Sequence, residues 1–73
     1  MHLYNHYYFH NTVDTHGNHE VHTKECSYFP NIENATYIGY EKSCSDAIDR
    51  AKQEHPFKSF DGCYFCCRPC HTG

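Results

Sequence analysis

The chain is poor in the residues that usually build a core. Among its 73 residues Leu, Ile and Val number six together, so burial of aliphatic surface alone is a weak basis for a fold of this length. No apolar run approaches the roughly 20 residues needed to cross a bilayer, and no membrane association is expected. The six Lys and Arg are spread between Lys24 and Arg68 without a run, and the formal charge is −3. A chain so charged has no bulk attraction to a phosphate backbone, which argues against non-specific nucleic-acid binding. The start, from Met1 to His6, lacks the basic and apolar regions of a secretory signal, so a cytoplasmic location is expected, where structural disulfides are disfavoured. There is no phosphate loop and no Ser/His/Asp order. His19-Glu20-Val21-His22 is an H-E-x-H, without the i, i+4 histidine spacing of the zinc protease motif. No enzymatic activity is therefore expected. Length allows one small domain over residues 1–73.

Six cysteines, eight histidines, seven tyrosines and five phenylalanines fill the gap. A short chain at about 8% cysteine generally needs a covalent or metallic staple. The aromatic residues must supply most of the bulky apolar surface, and they are expected inside rather than as a base-stacking platform.

The local pattern predicts an α+β fold: a small three-stranded, mostly antiparallel sheet, one helix and a C-terminal zinc knuckle. Residues 3–10 are rich in Tyr and Phe and read as a strand, with Leu3, Tyr7 and Phe9 on one face and Tyr4, His6 and Tyr8 on the other. Asp14 to Asn18 is turn chemistry around Gly17, His19 to Thr23 suits a return strand, and Ala35 to Tyr40 a third. A helix starts near Ser43 or Ser45, either of which can cap it, and Pro56 stops it. Cys44, Ala47, Ile48, Ala51 and His55 form its buried stripe, and Asp46 with Arg50 is a favourable i, i+4 pair. Cys44 is thus expected to be a small core residue whose loss costs about 1–2 kcal/mol. The tail from Asp61 to His71 is too short and irregular to be expected in the core.

Two half-sites carry chemistry. His22-x3-Cys26 turns back at the end of a strand, and Cys63-x2-Cys66 follows Gly62. Two-residue spacing lets both thiolates face one ion, and one histidine with three cysteines satisfies tetrahedral Zn²⁺. The 36 residues between Cys26 and Cys63 make this a long loop, where a clip stabilises most. Cys67-x2-Cys70, followed by His71, is a competing register. Gly62 before the first pair and Pro69 inside the second favour Cys63 and Cys66. Three disulfides are the other use for six cysteines. The seven other histidines are expected to be solvated or hydrogen-bonded; His19 is the nearest to an exception, but its odd offset from His22 puts it on the opposite strand face.

These residues resemble a known pattern. His22 to Cys26, the strand with Gly39-Tyr40, Asp46-Ala47 on the helix and Gly62-Cys63-Tyr64-Phe65-Cys66 are similar to the YHxxxC…EA…GYxPCxxC zinc module appended to bacterial nucleases and surface proteins. The chain more remotely resembles the metal-binding domain of Ada-type DNA repair proteins, and its whole layout is closest to small bacterial proteins reading HEVH…C…GY…A…DGCxxC. The resemblance spans residues 19 to 70 and implies zinc held by an H-x3-C and a C-x2-C half-site. The repair domain's methyl-accepting thiol would map to Cys26, but the basic surface that holds DNA is missing here, and that activity is not carried over. The helix-to-knuckle connection is longer than in the module, and Gly73 stands where a partner for Cys70 would be. The sequence thus points to a structural zinc-binding domain, a monomer acting as an interaction module for a protein partner that it does not name. A nucleic-acid accessory domain is the alternative, and a zinc-thiolate alkyl acceptor or hydrolase comes after it.

Overall fold

A computed structural model describes residues 4–72. The fold is α+β, as expected, but among the described residues its sheet has four strands rather than three. The strands are β1 (Asn5–His10), β2 (His19–Thr23), β3 (Ala35–Glu41) and β4 (Phe60–Gly62), in the order β3-β1-β2-β4. β1 pairs antiparallel with both β2 and β3, whereas β4 runs parallel to β2. The helix α1 (Cys44–Glu54) lies between β3 and β4 in the chain. It supplies the long crossover that a parallel strand needs.

The β1–β2 turn follows its sequence. Gly17 takes φ 79°, and the Asp14 carboxylate accepts from the His16 and Asn18 backbone N–H groups. β3 departs from simple alternation. Tyr7 opposes Gly39 and Tyr8 opposes Tyr37, so Ile38 is an extra residue bulged from the β1–β3 ladder. The bulge flips the parity of the strand. It sends Ile38 into the core and lets Tyr37 and Tyr40, three residues apart, share the outer face with His6 and Tyr8.

Ser43 is the helix cap, its hydroxyl accepting from the Asp46 N–H, which settles the choice against Ser45. Cys44, Ala47, Ile48 and Ala51 are buried along the expected stripe against Tyr7, Phe9, Val21 and Ile38, and His55 packs on Phe9. Arg50 does not pair with Asp46. Its guanidinium reaches Glu41 at 2.8 Å and Glu54 at 3.5 Å, bracing helix to strand as well as turn to turn. Leu3 lies outside the described residues. The aromatic expectation holds only in part. Tyr7 and Phe9 are buried, but Tyr4, Tyr37 and Tyr40 stay exposed, because a one-helix layer covers one face of the sheet.

The tail is the largest correction. Asp61 and Gly62 belong to β4, and Cys63 and Cys67 are buried in the core cluster. A three-residue strand is too short to show alternation, and its burial comes from its neighbours. Cys44 is in the core, as expected, but it is also bonded to Cys70, so its loss is not the simple packing change expected. That bond removes Cys70 from the competing Cys67/Cys70 register.

Two predictions follow from this packing. A Cβ on Gly62 would stand 2.5 Å from the Cys67 carbonyl oxygen and 2.8 Å from the Cys70 Cβ. Backbone cannot swing away as a side-chain tip can. Gly62→Ala should therefore cost about 2 kcal/mol or more, lowering Tm by on the order of 10 °C in thermal melts. The Cys44–Cys70 bridge has a sequence separation of 26. Its loss in Cys44→Ala should cost about 3–4 kcal/mol rather than a packing increment. Dithiothreitol should lower the Tm of the parent chain and leave that of the variant unmoved.

Candidate metal centre

The register of β2 and β4 builds this site. His19 pairs with Phe60, Glu20 with Asp61 and Val21 with Gly62, and the Cys63 N–H continues the ladder by donating to the Val21 carbonyl at 2.9 Å. Parallel pairing therefore delivers Cys63 beside the end of β2, where His22 sits. From Cys63 the chain turns, with the Cys67 N–H donating to the Cys63 carbonyl, which lifts Cys66 back toward β2. On the other side, the Cys26 N–H donates to the Thr23 carbonyl and closes the turn that returns Cys26 to His22.

The ligand atoms of His22, Cys26, Cys63 and Cys66 all lie within 4.8 Å of one another. The Cys26 and Cys63 sulfurs are 3.8 Å apart, and the Cys66 sulfur is 4.0 Å from His22 Nδ1. A tetrahedron with metal–sulfur bonds of about 2.3 Å has sulfur–sulfur edges of about 3.8 Å. The four expected residues thus stand at the spacing in which they could hold one metal ion.

The surroundings favour thiolates that accept hydrogen bonds. The Thr23 N–H donates to the Cys66 sulfur at 3.3 Å and the Phe65 N–H to the Cys63 sulfur at 3.4 Å. Without a cation the thiols hold their protons. Burial pushes Cys63 up to about 12 and raises Cys26 as well. For Cys66 the hydrogen bond with Cys67 comes first and burial second in raising it. A divalent cation reverses this balance by replacing the protons.

His22 has a partner that its spacing could have revealed. Its Nε2 lies 3.2 Å from Glu20 Oε1. Residues two apart on a strand share a face, so Glu20 was readable as its neighbour. An Nε2–H held by that carboxylate leaves the Nδ1 lone pair facing the sulfurs, as when a carboxylate orients a ligating histidine.

The other candidates fall outside. His19 is buried on the opposite face of β2, where its Nδ1–H donates to the His10 carbonyl. The His71 Nδ1–H donates to the Gly62 carbonyl at 3.0 Å. Cys67 is fully buried behind Cys66. The Cys44–Cys70 pairing was missed because no sequence spacing encodes it. The two meet only once the helix and the tail are packed.

Glu20→Gln keeps all four candidate ligands but weakens the orienting contact. Metal affinity should fall about 10–100-fold in competition with a chromophoric chelator. Affinity should also fall as pH is lowered, since the thiols are protonated in the metal-free chain, and calorimetry in buffers of different ionisation heat should show protons released on binding. No protein-family model, curated protein or solved structure matches the chain.

Proposed function

We propose that the chain is a structural zinc-binding module whose ion ties the β2 end to the segment after β4, and that the stapled domain serves as an interaction module. The observation that carries this reading is the convergence of one imidazole and three thiols from two distant parts of the chain at tetrahedral spacing. The donor set supports zinc over the hard cations: thiolate and imidazole ligands suit Zn²⁺, whereas Mg²⁺ and Ca²⁺ require oxygen. Four protein ligands saturate a tetrahedral ion and leave no open position for substrate or water. The role assigned to zinc is therefore folding, not catalysis. Apparent affinities of about 10–16 kcal/mol for structural zinc are comparable with the whole stability of a small domain.

Elemental analysis of the purified chain should give one zinc per molecule, with the Cβ shifts of Cys26, Cys63 and Cys66 in the range of metal-bound thiolates. A strong chelator should convert the cooperative melt into a shallow one, and added zinc should restore it. A metal-free chain with unaltered melting would sink the reading.

A further inference from the structure

We propose that the open side of the metal centre is a binding pocket for an arginine side chain of a partner polypeptide. The proposal rests on the zinc reading, because the ion and its thiolates set the charge of the pocket floor.

The centre is closed on one side and open on the other. His22 and Cys63 are 2% and 1% exposed, but Cys26 and Cys66 are only half-buried. Both line a cavity of about 500 Å³, within the roughly 300–1,000 Å³ range of ligand pockets. One wall is Tyr28 and Phe65, 58% and 62% exposed, whose rings stack at 4.0 Å between centroids. Glu25, also exposed, stands on the rim and makes no ion pair among the described residues.

Charge decides what the cavity takes. Zn²⁺ with three thiolates and a neutral imidazole carries a net −1, and Glu25 adds another. Among the described residues no Lys, Arg or His lines the cavity to offset them. Aromatic faces are also negative, so floor, rim and wall all favour a cation and disfavour phosphate or carboxylate. A guanidinium suits such a place better than an ammonium. It is planar and weakly hydrated, it stacks on rings, and its fork can donate to a carboxylate. The same knuckle already shows this chemistry: the Arg68 guanidinium carbon lies 4.9 Å from the centroid of the Tyr64 ring. Asn5 and Ser27, also lining the cavity, offer polar groups to the backbone of an incoming peptide.

The test is a titration of the ¹⁵N-labelled, zinc-loaded full chain with a short blocked peptide bearing one arginine, followed by amide shifts. Its control is the same peptide with citrulline, which keeps the shape and removes the charge. Shifts should concentrate at Thr23, Ser27, Tyr28, Phe65 and Cys66. The citrulline peptide should bind about tenfold more weakly, the equivalent of about 1.4 kcal/mol. Glu25→Gln, at an exposed position that should not affect folding, should weaken the arginine peptide alone. Equal affinity for both peptides, shifts centred elsewhere, or no saturable shift with metal bound would overturn the pocket while the zinc reading stands. A sample that holds no metal overturns both.

Discussion

The three-residue parallel pairing of β2 with β4 is the contact on which the rest of the structure depends. It joins two segments separated by a strand and a helix, and it fixes the register in which Cys63 arrives beside His22. A parallel ladder this short, closed over so long a loop, gains little from its own hydrogen bonds. Two fastenings hold it, both near Gly62 where β4 ends. The ligand atoms of His22, Cys26, Cys63 and Cys66 converge just past that end, and the Cys44–Cys70 bond ties the last turn of the tail, packed on Gly62, to the start of the helix. The absence of side-chain bulk at Gly62 lets the tail fold back over β4 between these two fastenings.

The six cysteines thus divide by position rather than by type. Three belong to the candidate metal centre, two form the bridge, and Cys67 fills the core behind Cys66. In a chain with six Leu, Ile and Val, sulfur takes part of the place of aliphatic carbon. The aromatic residues do less of this than their number suggests. One helix covers one sheet face, so the bulge at Ile38 turns Tyr37 and Tyr40 outward into a chain of rings with His6, Tyr4 and Tyr8. Those rings pack on one another at the surface.

The legible parts of the sequence were those governed by local physics. The 19–23 strand, the Gly17 turn, the Ser43 cap and the helical stripe depend on residues within one or two turns of each other, and they stand where periodicity and capping put them. The candidate centre was legible because H-x3-C and C-x2-C are local geometries whose union is dictated by coordination number. Long-range features left no such trace. Phe60–Gly62 is a strand only because β2 lies beside it, and Cys44 meets Cys70 only after the helix docks. Arg50 prefers Glu41, brought near by packing, over Asp46, its neighbour on the helix. The bulge belongs to the same class, since register is a property of two strands.

The central claim is that one zinc ion joins the two halves through a histidine and three cysteines. X-ray absorption at the zinc edge of the purified, zinc-loaded chain tests it most directly. The account predicts three sulfur neighbours at about 2.3 Å and one imidazole nitrogen at about 2.0–2.1 Å. Four sulfurs, which would bring Cys67 into the shell in place of His22, or a shell dominated by oxygen would contradict it.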